Sequence, residues 1–171
     1  MLQPFVTPEQ LTTIASLSSS IETNFLTPYL QVAQDMAVVP LLGTALAQEI
    51  SDQILSGTTT EANQILLNFI LPFQAYKAWE LCTPFLSIKA YKKSLVKPVD
   101  PNSEALSIDE IRFYKANITS MMNFYQAQLF NFLEADAQSS NPVYPLYRSS
   151  TSTEFRNTGT PTSGFFMRKL T

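Results

Sequence analysis

Between Ile108 and about Ala137, the residues Ile111, Tyr114, Ile118, Met121, Met122, Tyr125, Leu129, Phe132 and Leu133 recur at spacings of three and four. At 100° per residue they stay within a stripe about 120° wide, the pattern of a helix packed along a bundle. Such a helix runs about 45 Å at 1.5 Å per residue, longer than a compact bundle of short helices can cover. Ser107-Ile108-Asp109-Glu110 supplies a capping box at its start, with acids at the positive end of the helix dipole. The chain is therefore expected to be all-α and built around one long helix near its C-terminal end.

Phe113 and Phe124 lie eleven residues apart, about three turns, and fall on one line opposite that stripe. In a lone monomer both rings face water. Either another part of the chain covers them or a neighbouring subunit does, and they are the first candidates for an interface between subunits. Charged residues are only 15% of the chain, against about 25–35% of a typical solvated surface. Uncharged Ser, Thr, Asn and Gln fill the gap, as neighbour-covered surface or a bias of composition would require.

Upstream, Thr7-Pro8-Glu9-Gln10 reads as an N-cap, a proline at the first helical position and a capping-box glutamine, opening a short helix with Leu11, Ile14 and Leu17 on one side. Thr27-Pro28 is expected to repeat the capped start, with Tyr29, Val32, Ala33, Met36 and Ala37 along one buried face. That helix is expected to stop where Pro40 removes a donor and pushes Val39 out of the helical region. Pro40, Leu41, Leu42 and Gly43 then form a tight structural corner, with Thr44 capping a helix that carries Leu46, Ile50 and Ile54. After a Ser56–Thr60 break, a Thr60 cap and Glu61 begin a mostly apolar, enclosed central helix, with Ile65, Leu66, Phe69, Ile70, Phe73, Tyr76 and Trp79, that Pro72 should kink.

Residues 84–106 are ambiguous between strand and helix, and an extended arm around 84–100 is expected. Lys89, Lys92, Lys93 and Lys97 cluster there as a solvated basic patch or as a face towards DNA. The architecture expected overall is a bundle of about four to five helices with one long C-terminal helix, this arm, and an extended tail. Residues 1–138 form the helical domain and carry a net charge of −6, whereas 139–171 are Ser/Thr-rich and carry +3. Without a helical period the tail cannot build a core, yet it keeps Tyr144, Tyr147, Phe155, Phe165 and Phe166. It is read as a segment ordered on partners, with these aromatics as anchors.

Catalytic signatures are scarce. The chain has no histidine and one cysteine, so the commonest general base and metal ligand is missing and no internal disulfide can form. The four glycines lack phosphate-loop spacing. Carboxylates pair as Glu49 with Asp52, Asp109 with Glu110 and Glu134 with Asp136, but a carboxylate-histidine di-iron site cannot be assembled from them. Cys82, near Trp79, reads as a buried thiol rather than a nucleophile. No apolar run approaches membrane-spanning length, so no membrane association is expected. No enzyme activity, cofactor or metal is expected either.

The stretch "TPYLQVAQDMAVVPLLGTALAQEI" resembles the pattern of small helical head-to-tail connector (adaptor) proteins of tailed bacteriophages. Ala33, Gln34, Val38, Pro40, Leu41, Leu42, Gly43, Leu46 and Ile50 occupy the places of that pattern. "FVTPEQL" and "LLNFILPFQAYKAW" resemble the family's opening and central helix, and the likeness is greatest to the version in phages of gut Bacteroidetes, including crAss-like phages. The resemblance covers roughly residues 4–138; the arm lacks the glycines common there, and the tail has no placed counterpart.

It implies a structural virion protein, assembled in the host cytoplasm and located in the neck, where copies form a ring, usually of twelve, beneath the portal. Its partners would be its own copies, the portal and other neck or tail proteins, with DNA passing through the channel without sequence-specific binding. The competing reading is a small cytoplasmic helical binding or regulatory module with an apolar pocket.

Overall fold

The periodic stretch folds as one helix: α6 spans Ile108–Ala137. The computed structural model describes residues 2–15, 23–86, 89–91, 94–96 and 108–148 of the 171. Helix α1 (Pro8–Ile14) opens on the expected capping box, in which Thr7 Oγ1 accepts from the Gln10 amide and Gln10 Oε1 accepts from the Thr7 amide. Leu17 and the serines after it lie outside the described residues.

Helix α2 (Thr23–Ala33) begins four residues before the expected Thr27 cap, and Pro28 sits inside it. Pro28 removes one bond from a helix whose face is already committed to packing, since Leu26 and Leu30 are buried and Phe25 stacks near Tyr29. Nor does the helix stop before Pro40. It passes through a wide π turn, Gln34–Val38, in which the Val39 amide reaches back five residues to the Gln34 carbonyl. It then continues as α3 (Val39–Leu42), with Pro40 in its first turn where an amide donor is not needed. Val39 is accordingly helical, at φ −59° and ψ −45°. The extra residue of the π turn also shifts the register, so the 3.6-residue period does not carry across it. Gln34 enters the core, while Val32 and Met36, expected on the buried face, are exposed.

The sharp turn itself is Gly43, at φ 82° and ψ 152°. A Cβ there would meet nothing within 4 Å, so glycine is required by backbone conformation and not by lack of space. Gly43, rather than Thr44, is the N-cap of α4 (Thr44–Ser56), and it makes no side-chain cap. Helix α4 ends on Gly57 in the left-handed region, with the Thr58 amide bonded to the Gln53 carbonyl. Thr60 Oγ1 caps the Asn63 amide as expected, and α5 (Glu61–Leu86) runs on through Pro72 and Pro84.

After α5 the described part of the arm is two short strands, β1 (Lys89–Tyr91) and β2 (Ser94–Val96), paired antiparallel with Lys89 opposite Val96. Counting Thr23–Leu42 as one helix with a wide turn, the described residues form five helices, of which α5 packs mainly on α6 and α2.

The core has two parts. In one, Val38, Leu42, Leu46 and Ile50 from the corner meet Leu66, Ile70 and Phe73 of α5 and Leu129 and Leu133 of α6. In the other, Val6, Leu11, Leu26 and Leu30 close over Ala78, Trp79 and Cys82, with Ile118 of α6 at the edge. Two buried glutamines join them. Gln34 Oε1 accepts from the Phe5 amide at 2.8 Å and its Nε2 donates to the Gln3 carbonyl at 2.9 Å, so one side chain stands in for the peptide group of a neighbouring strand. Gln74 Nε2 donates to Gln34 Oε1 and to the Leu30 carbonyl. The Gln3 amide donates to Ser51 Oγ at 2.7 Å, which ties the same segment to α4.

Candidate assembly surface

The two faces of α6 differ in chemistry as well as burial. Ile118, Met122, Leu129 and Leu133 of the expected stripe are buried; Ile111, Tyr125 and Phe132 are half-buried. Stacked rings extend the seam, Phe69 on Phe132 with centroids 4.3 Å apart and Tyr76 on Tyr125 at 5.4 Å. Tyr114 and Met121, at the margins of the stripe, are exposed instead. On the opposite line Phe113 is 72% exposed and Phe124 54% exposed. Neither ring is covered by the described residues.

From residue 116 to residue 133 α6 contains no charged side chain, about 27 Å of helix at 1.5 Å per residue. Asn117, Ser120, Asn123, Gln128 and Asn131 nevertheless face solvent there, interleaved with Met121, Phe124 and Phe130. A face of amides, aromatic rings and methionine without charge is the composition of a subunit contact more than of a solvated helix.

The corner contributes to a second surface. Leu42 is fully buried, but Pro40 and Leu41 join Met36, Phe73, Met122 and Phe130 in lining an open groove of about 450 Å³ beside α6. Sequence periodicity placed Met36 in the core; the π turn turns it outward, where it is 64% exposed. Phe130 was not singled out, because it lies off both lines of α6.

The tail reading needs a correction at its near end. Tyr144 and Tyr147 are buried in this chain's own core and are not available as anchors for a partner. Tyr144 OH donates to the Ala62 carbonyl at 2.6 Å, and Tyr147 OH donates to Glu134 Oε1 at 2.8 Å. Asp136 caps the turn, accepting from the amides of Val143 and Tyr144. The folded unit thus continues past residue 138 to at least 148, because two phenols find apolar cover and acceptors on α5 and α6. Phe155, Phe165 and Phe166 lie outside the described residues, as do Lys92, Lys93 and Lys97; Lys89 is described only as backbone of β1.

The carboxylates examined as possible chemistry hold helices together. Glu49 Oε1 accepts from Asn63 and Gln53, tying α4 to α5, and Asp52 accepts from Gln48. Asp109 pairs with Arg112. Glu80 bridges α5 to α6 by accepting from Lys77 at 2.7 Å and from Thr119 at 2.8 Å. Partial burial pushes the Glu80 carboxyl upward, but those two hydrogen bonds and the lysine charge outweigh it and leave it below its ordinary range. Burial pushes the Cys82 thiol up to about 12, so it is a protonated core group. Among the described residues no group of three or more Cys, Asp or Glu is placed to hold a metal ion, and no helix is long and apolar enough to cross a membrane.

The profile of a family described as a family of unknown function, DUF6712, matches residues 38–157. The match takes in the corner, α4, α5, α6 and the Tyr144–Tyr147 strap. No curated protein and no solved structure matches the chain.

Proposed function

For this chain, which belongs to the DUF6712 family of unknown function, we propose the role of a structural virion protein that forms a ring in the neck of a tailed phage. The ring sits below the portal as a head-to-tail connector, continues the DNA channel and offers a platform to the next neck or tail component. The protein is not an enzyme; its copies, twelve in the arrangement the resemblance implies, are its first partners. DNA passes through without being read, and the protein resides in the virion after assembly in the host cytoplasm.

The observation that carries this reading is the outer line of α6, where Phe124 stands on the charge-free stretch of residues 116–133 and Phe113 stands exposed three turns before it, between Arg112 and Lys115. A closed ring needs a heterologous contact, in which one patch of each subunit meets a different patch of the next. The protein offers two such patches. Phe124 and Phe130 are six residues apart, which at 100° per residue places the ridge about 120° around α6 from the Met36–Phe130 groove. The corner resemblance and the low charge of the whole chain support the same assignment. The alternative of a small-molecule module gains nothing from these grooves, which are open along the surface and not enclosed.

Mass is the test. Native mass spectrometry or electron microscopy of the purified full chain should find closed rings of identical subunits, and the protein should be found in particles at a matching copy number. A chain that stays monomeric at all concentrations and is absent from virions overturns the proposal.

A further inference from the structure

At the far end of the bundle from Phe113, the start of α5, the end of α6 and the Tyr144 strap line an open groove of about 510 Å³. Ile65, Phe132, Ala135 and Val143 give it an apolar lining, to which Glu61 and Asp136 add two carboxylates. Ile65 and Val143 are exposed there. No cation is among the lining residues, so an apolar trough carries two carboxylates. Asp136 also accepts from the Val143 and Tyr144 amides.

We propose that this groove is the docking site of the chain's own C-terminal segment, Phe165-Phe166-Met167-Arg168-Lys169. Two aromatic rings and a methionine followed at once by two cations are the complement of an apolar lining that includes two carboxylates. The described chain ends at Arg148, four residues beyond Tyr144 of the groove wall. Sixteen residues then lie between Arg148 and Phe165, seventeen Cα steps in all. Those steps span at most about 58 Å. The length of chain therefore allows the segment to reach the groove, beside which the described residues end. The docking is available to a single chain and does not depend on ring formation.

The test uses the full-length protein with Phe165→p-benzoyl-phenylalanine, which keeps an aromatic anchor and forms covalent adducts on illumination. Peptide mapping should find adducts on residues 61–65 or 132–144, at the mass of one chain for docking in cis and of two for docking on a neighbour; either places the segment in this groove. Adding Glu61→Lys and Ile65→Lys, both at exposed positions, should lower adduct yield at least tenfold while circular dichroism stays unchanged. Adducts on the Phe113–Phe124 face or the Met36 groove, no adduct at all, or a yield indifferent to the two lysines would each overturn the proposal.

Discussion

The two ends of α6 have opposite fates. Its C-terminal half is held on three sides: Leu129 and Leu133 are fully buried, Phe132 stacks on Phe69, and Glu134 and Asp136 hold the strap of Tyr144 and Tyr147. In the described part of its first ten residues no side chain is buried, and Ile118 is the first to enter the core. Over about the first 15 Å of helix the described contacts are marginal, limited to half-buried Ile111 and the edge contact of Tyr114 with Trp79. Propensity and capping alone hold a short isolated helix only marginally. The firm end lends the other its order, because one continuous backbone hydrogen-bond ladder joins them. The contrast teaches that length in this helix serves presentation as much as folding.

Substitutions can break that contrast. The largest effect on stability is expected from Leu129→Ala together with Leu133→Ala: truncating two fully buried leucines should cost several kcal/mol, at about 2–5 kcal/mol for each, in urea denaturation. If the pair costs less than one such truncation, the C-terminal half is not the anchor described. Gly43→Val comes next, at about 1–3 kcal/mol, because a β-branched residue cannot relax at φ 82° although space is open; Gly43→Asn, tolerant of positive φ, should cost less. Tyr147→Phe should lose about 1 kcal/mol with the hydrogen bond to Glu134, and an unchanged denaturation midpoint would show the strap to be ornamental.

Phe113→Ser with Phe124→Ser should move monomer stability least, by about 0.5 kcal/mol or less, while abolishing any ring in native mass spectrometry. A collapsed monomer would mean that these rings belong to a core.

The Cys82 thiol sharpens the picture of the second core. Its proton is held more firmly in the folded chain than in the unfolded one, where the thiol loses it near 9.0. The stability it contributes is therefore complete below pH 9 and is lost as pH rises from there towards about 12. Cys82→Ala should flatten the alkaline side of the stability profile in that window. A wild-type thiol that reacts with a disulfide reagent at pH 8 as fast as free cysteine would contradict its burial.

What the sequence disclosed was local. Residues 108–137 announce α6 because stripe, cap and length agree, and Thr7 and Thr60 announce helix starts because each cap lies within three residues of its partner. Prolines misled where distant packing outweighed one missing amide: Pro28 lies inside α2, and Pro40 follows a π turn whose register no 3.6-residue pattern can show. The tyrosines of the strap were read as free anchors because their acceptors lie far off in sequence, 82 residues away for Tyr144. At the candidate surface, Phe113 and Phe124 were legible from spacing alone, whereas Met36 and Phe130 emerge only when the π turn and the corner set the groove around them.

The glutamine that replaces a strand has a consequence for synthesis. Gln3 emerges from the ribosome 31 residues ahead of Gln34 and 48 ahead of Ser51, the side chains that hold it. At about 5–20 residues per second its last partner follows roughly 2 to 10 s later. The earliest-made part of this segment is thus among the last to find its seat, and whatever is attached before it inherits that delay.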